Sequence, residues 1–161
     1  MRLRVIAVGT RMPSWANEAC GTYVRRLRPS LPLVLTEIPL ARRGGAGARA
    51  TGTSAQALAV EGERLLGSLG ADDFVVTLDE RGQELTSREL ASWLSKRMHE
   101  GRDVAFLIGG PDGLAPSVVA RSHFSCALSR LTLPHALARV VLIEQLYRAH
   151  TLLAGHPYHR E

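Results

Sequence analysis

Apolar residues change their period several times along the chain, and each change predicts an element. Over residues 2–9 they alternate and then run together as Val5-Ile6-Ala7-Val8, a strand that stops at Gly9. Trp15, Ala19, Tyr23, Val24 and Leu27 recur at helical spacing behind Ser14, which is placed to cap that helix. Residues 33–38 give a second strand, stopped by Pro39. Ser54 opens a second helix to about Leu69, with Leu58, Leu65, Leu66 and Leu69 toward the core. Phe74-Val75-Val76-Thr77-Leu78-Asp79 predicts a third strand followed by a turn at Arg81-Gly82. Thr86-Ser87-Arg88-Glu89 is a capping box for a helix to about Glu100.

Next, Val104-Ala105-Phe106-Leu107-Ile108 runs apolar without alternation and halts at Gly109-Gly110-Pro111-Asp112-Gly113-Leu114. Such a run reads as a strand buried on both faces, as in a parallel sheet. A short helix follows Pro116, residues 126–133 read as a fifth strand, and the last helix runs from about Ala136 to Leu153. Strands alternating with helices predict an α/β fold, a mainly parallel sheet with helices on both faces. There is no internal repeat and no composition break, so residues 1–161 read as one domain. Its two irregular parts are a loop at about 41–53, with four glycines and three arginines, and a tail at 155–161.

Charge adds a direction to this picture. The net charge is +5, but residues 1–60 carry nine Arg against two Glu, whereas residues 61–103 carry ten acidic groups against six basic ones. Five of the six histidines lie beyond residue 104. A basic N-terminal part and a His/Arg-rich C-terminal part suit RNA or phosphate, and a plain solvated surface accounts for them about as well. No apolar stretch is long enough to span a membrane, and the N-terminus reads as a strand, not a signal peptide. Cys20 and Cys126 suit a reducing cytosol and read as small packed residues.

Candidate chemistry gathers at the strand ends. Residues 109–113 lack the Lys-Ser/Thr of a phosphate-binding P-loop and the G-x-G-x-x-G spacing of a dinucleotide site. A tight turn after a buried strand is the minimum they describe. Leu128-Ser129-Arg130-Leu131-Thr132-Leu133-Pro134-His135 ends another apolar run in a rigid turn. If the two strands are neighbours, both loops face one crevice. Main-chain groups could then meet an adenine edge between walls of Leu78, Leu131 and Leu133; an ordinary core strand with a proline stop is the plainer reading. The last helix is apolar on most sides, which suggests a second surface, such as another subunit. Within it Glu144 and Arg148 are spaced to pair, and Arg148 is otherwise free to hold phosphate or a base. His156-Pro157-Tyr158-His159-Arg160-Glu161 is dense in groups that stack on bases or take phosphate. Its two imidazoles have no evident Cys complement, so no metal site is expected.

Taken together, Ala7-Val8-Gly9-Thr10, residues 107–114, Leu131-Thr132-Leu133-Pro134-His135, Glu144-Gln145-Leu146-Tyr147-Arg148-Ala149 and the last six residues resemble the RlmH family. These are small bacterial ribosomal RNA large subunit methyltransferases of the SPOUT superfamily, and the resemblance spans the whole chain. It implies a C-terminal trefoil knot, which periodicity alone never suggests. It implies a cytoplasmic homodimer that binds S-adenosyl-L-methionine in the knot and methylates N3 of a pseudouridine in 23S ribosomal RNA within the 70S ribosome. By position, cofactor contacts fall on Leu78, Gly109, Leu128, Ser129, Arg130, Leu131, Thr132 and Leu133. His135, Arg148, His159 and Arg160 match positions for substrate binding or methyl transfer, and the sequence does not choose between His135 and His159 as proton acceptor. The 41–53 loop departs from the family in lacking lysines. A related enzyme acting on tRNA, or a non-catalytic RNA- or ribosome-binding module, is the alternative.

Overall fold

A computed structural model describes residues 1–43 and 53–160, except for the side chains of His159 and Arg160. Its elements in chain order are β1 (Leu3–Val8), α1 (Ser14–Leu27), β2 (Leu33–Ile38), α2 (Ser54–Gly67), β3 (Phe74–Glu84), α3 (Ser87–Glu100), β4 (Val104–Ile108), α4 (Pro116–Arg121), β5 (Phe124–Ala127) and α5 (His135–Leu153), with a final 3₁₀ turn at Pro157–Arg160. The five strands form one sheet in the order β2-β1-β4-β3-β5, and every neighbouring pair is parallel.

Burial explains the uninterrupted apolar runs. All five residues of β4 are buried, and in β1 Leu3, Val5 and Ala7 join one core while Ile6 and Val8 join another. The first core is covered by α1, α3 and α5 through Leu27, Leu94, Leu142, Ile143 and Leu146. The second is covered by α2 and α4, with Leu65, Ala115 and Val118. Gly62 of α2 lets these two helices approach, since a Cβ there would stand 2.7 Å from Ala115 Cβ.

Several sequence expectations need correction. Ser14 is the first helical residue of α1, behind Pro13, and makes no side-chain cap. The capping box at Thr86 and Glu89 is present, and Thr53 with Gln56 forms a second one at α2. No turn occurs at Arg81-Gly82. Instead β3 continues to Glu84 and shifts its register on β5, Leu78 and Gln83 both pairing with Cys126. Gly82 serves close approach, because a Cβ there would lie 2.7 Å from the Cys126 backbone. Correspondingly β5 ends at Ala127, and residues 128–133 leave the sheet as a loop. Finally, β4 and β5 are not neighbours, because β3 lies between them. In the segment read as a loop over 41–53, Ala41 is buried and Arg43 is held by side-chain partners. Residues 44–52 lie outside the described residues.

One buried charge ties the C-terminal helix to the sheet. Arg139 of α5 is 1% exposed. It donates to Glu37 Oε1 of β2 at 2.8 Å, to Val8 O at 2.8 Å and to Gly9 O at 2.7 Å. Gly9 adopts φ +109°, and a Cβ there would crowd the guanidinium at 3.2 Å. Replacing Arg139 by Met strands Glu37 and two carbonyls. Because Glu37 stays about a third exposed, we expect a loss of about 2–3 kcal/mol, less than for a fully buried pair. Thermal unfolding should show it as a drop of several degrees; an unchanged midpoint would contradict the anchoring role.

Candidate active site

The carboxyl ends of β4, β3 and β5 open into a cleft of about 630 Å³. Residues 109–114 form one wall, residues 128–133 form the other, and Leu78-Asp79-Glu80-Arg81 of β3 line the space between. The walls are positioned differently. The first is a tight turn: Gly113 N donates to Gly110 O at 3.0 Å, with Gly113 at φ +81°. Gly109 is required there, since a Cβ would fall 2.2 Å from Gly113 O. The second wall is a short irregular span between β5 and α5, and Pro134 precedes the helix, where its lost N–H costs nothing.

Of the residues singled out in the sequence, Leu78, Gly109, Leu128, Ser129, Leu131, Thr132, Leu133 and His135 all line this one cleft. Arg130 does not, because its side chain points to solvent and pairs with Glu84 at 3.0 Å. Arg148 lies elsewhere on α5, paired with Glu144 at 3.0 Å, its guanidinium 4.9 Å from the Tyr158 ring centre. Tyr158 brings the tail onto α5: its ring meets Tyr147 edge-on at 4.8 Å, and its hydroxyl lies 3.2 Å from Glu144 Oε1 and 3.3 Å from Tyr23 Oη. Burial and these neighbours push the Tyr158 phenol far above its ordinary pKa. The side chains of His159 and Arg160 lie outside the described residues.

Part of the lining has no counterpart among the residues singled out in the sequence. Asp79, Glu80 and Asp112 bring three carboxylates to the cleft against Arg81 and His135. The signal for two of them was available, an Asp-Glu pair directly after an apolar strand. Thr132 Oγ1 reaches Glu80 Oε2 at 3.5 Å, a long link from this loop to β3. Main-chain groups in residues 129–133 have no backbone hydrogen-bond partner among the described residues; Leu131 N instead donates to Ser129 Oγ at 2.9 Å. Unpaired peptide groups beside leucine walls offer hydrogen bonds to a flat heterocycle, and the Asp79 and Glu80 carboxylates favour a cationic ligand, Asp112 being paired with Arg43.

A parallel sheet with its cleft outside the carboxyl strand ends is the architecture in which open α/β proteins bind small ligands at that edge. The comparisons narrow the class. Residues 1–159 match the family described as "Predicted SPOUT methyltransferase", and the chain belongs to that family of methyltransferases. It is 52% identical over 161 residues to the ribosomal RNA large subunit methyltransferase H of Alkalilimnicola ehrlichii, covering 99% of each chain. It is 50% identical over 163 residues to the protein of the same description from Thiobacillus denitrificans, covering all of both. Among solved structures it is similar in fold to a probable methyltransferase from Bordetella pertussis, with TM-score 0.54, 17% identity and coverage of 92% and 95% of the two chains.

His135 stands exposed at the rim, yet partial burial of the ring and then the Arg139 charge lower its pKa below 6.5. Burial does the same to His150, and burial with Arg121 and Arg102 does so to His123. For each, the unfolded chain binds more protons between the lowered pKa and about 6.5, so stability is complete above that window and declines as pH falls through it. The carboxyls of Asp103 and Glu89, held low by hydrogen bonds, enter only below about pH 4.5. We therefore expect the melting temperature to fall between pH 7.0 and pH 5.5, with a shallower slope in His135→Gln. A flat profile over that range would show that these histidines titrate normally.

Proposed function

We propose that the chain is an S-adenosyl-L-methionine-dependent methyltransferase acting on N3 of a pseudouridine in large-subunit ribosomal RNA of the assembled 70S ribosome. One observation carries the reading: leucine walls, unpaired peptide groups and the Asp79 and Glu80 carboxylates meet in one cleft at the strand ends of a SPOUT-family chain. That lining fits an adenosine joined to a cationic sulfonium. Leu78, Leu128, Leu131 and Leu133 would flank the heterocycle, the peptide groups of 129–133 would take its polar edge, and Gly109 would lie alongside. The relatives' description as ribosomal RNA large subunit methyltransferases directs the choice of substrate.

When bound, the cofactor supplies a methyl group made electrophilic by positive sulfur, so this chain need not provide a nucleophile. Its residues have two tasks, alignment of the base and removal of the N3 proton that occupies the attacking lone pair. His135 is the described residue suited to the second. Its lowered pKa keeps it neutral at pH 7, free to accept a proton at a ring nitrogen. Arg148 and Arg160, with His159, are assigned to the base or its phosphates. Arg130, directed away from the cleft, is better suited to RNA than to the cofactor.

The unit of function is a cytoplasmic homodimer of single 1–161 domains, with residues 128–134 threaded as part of a trefoil knot. Leu131 is 74% exposed at the cleft rim, and Leu137 on α5 is also exposed, as expected for apolar residues that meet a second subunit. Among the described residues no helix is long and apolar enough to cross a membrane, and no group of three metal-ligating side chains occurs. Expressed in a bacterial strain lacking its own enzyme for this site, the chain should restore N3-methylpseudouridine to 23S RNA, read by nucleoside mass spectrometry. Methylation of tRNA alone would move the substrate, and no methylation of any RNA would leave a binding module.

A further inference from the structure

The turn that forms one wall of the cleft is braced from outside by a chain of three charged groups. Glu61, on α2, is 1% exposed and bears its charge beneath the turn. Its Oε1 accepts from Ala41 N at 2.9 Å and from Arg43 Nη1 at 2.8 Å, and its Oε2 accepts from Arg43 Nη2 at 3.2 Å. The same guanidinium donates through Nε to Asp112 Oδ2 at 2.7 Å. Asp112 lies in the Gly110-Pro111-Asp112-Gly113 turn and lines the cleft. A two-pronged contact with a buried carboxylate leaves Arg43 little freedom, so its third donor has a fixed position.

Gly110 shows how closely the brace fits. A Cβ there would stand 2.9 Å from Glu61 Oε2, 3.1 Å from Val8 Cγ1 and 3.3 Å from Leu40 Cδ1. The turn therefore rests on the Glu61 carboxylate and is held at Asp112 by the arginine that this carboxylate orients. Gly109, Gly110 and Gly113 carry no side chains with which to stabilise their own conformation. Left to itself, such a turn would sample several shapes.

We infer that Arg43 is a positioning residue for the cofactor cleft: seated on buried Glu61, it fixes Asp112 and so the shape of residues 109–114. It also neutralises the Asp112 carboxylate, which would otherwise stand free at the cleft edge. The inference rests on the cofactor reading proposed above. It adds residues of the 39–43 and α2 segments, none of which lines the cleft, to the set that determines ligand affinity.

Two measurements on Arg43→Gln and Asp112→Asn test it. In the ligand-free protein, amide hydrogen exchange over residues 109–114 should accelerate about tenfold in both variants, with β4 protection unchanged. S-adenosyl-L-homocysteine, titrated by calorimetry, should bind about tenfold more weakly to each, and the double variant no worse than Arg43→Gln alone. Asp112→Asn leaves the Glu61–Arg43 pair intact and decides the matter if Arg43→Gln does not fold. Exchange and affinity both equal to wild type would overturn the inference, as would a lowered melting temperature with unchanged affinity, which marks a merely structural pair. Failure of the wild type to bind S-adenosyl-L-homocysteine would instead refute the cofactor reading, and the exchange data would still report whether Arg43 shapes the turn.

Discussion

The Arg139 guanidinium is the contact on which the rest of the arrangement depends. It is a charge with almost no access to water, whose two terminal nitrogens donate to one carboxylate and two main-chain oxygens at the ends of β1 and β2. A buried charge tolerates little displacement, since any slip leaves it and its partners unpaired. This fixes the start of α5 against the sheet, and with it the far end of residues 128–134, whose near end is fixed by β5. A segment pinned at both ends can keep an irregular shape and leave its peptide groups free for a ligand. Burial first and then the Arg139 charge lower the pKa of His135 one turn earlier, so the residue that anchors a wall of the cleft also contributes to the titration of its rim.

The opposite wall follows the same logic with different parts. Residues 109–114 are too rich in glycine to hold a shape alone, and Glu61, Arg43 and Asp112 brace them from α2. Between the two walls, β3 crosses β5 with a register shift that Gly82 permits, which brings Asp79, Glu80 and Arg81 to the cleft. Each wall thus has its own charged anchor.

Much of the sheet was legible in the sequence because burial on both faces leaves a direct mark. Residues 104–108 appear as an uninterrupted apolar run with the bounds of β4, the edge strand β2 was marked by Leu33-Val34-Leu35 and the stop at Pro39, and the Thr86 capping box gave the start of α3. Other features were hidden for physical reasons. Arg81-Gly82 has the composition of a turn, but glycine also serves where two backbones nearly touch, and only the Cys126 backbone 44 positions away separates the two uses. The leucines of 128–133 read as a strand because apolar alternation is the same whether side chains enter a core or line a cleft. Arg139 sat unnoticed in an apolar helix, since its partner Glu37 lies 102 residues earlier. Eight of the candidate site residues were nevertheless legible and share one cleft, because strand-end loops in parallel sheets converge on one edge.

On the function proposed above, this edge holds a methyl donor between the two anchored loops. A crystal structure of the protein grown with S-adenosyl-L-homocysteine tests it most directly. The adenine should lie between the leucines of 128–133 and Leu78, hydrogen-bonded to main-chain groups of that loop, with residues 109–114 alongside. Ligand bound at another face of the sheet, or an empty cleft at saturating concentration, would contradict it.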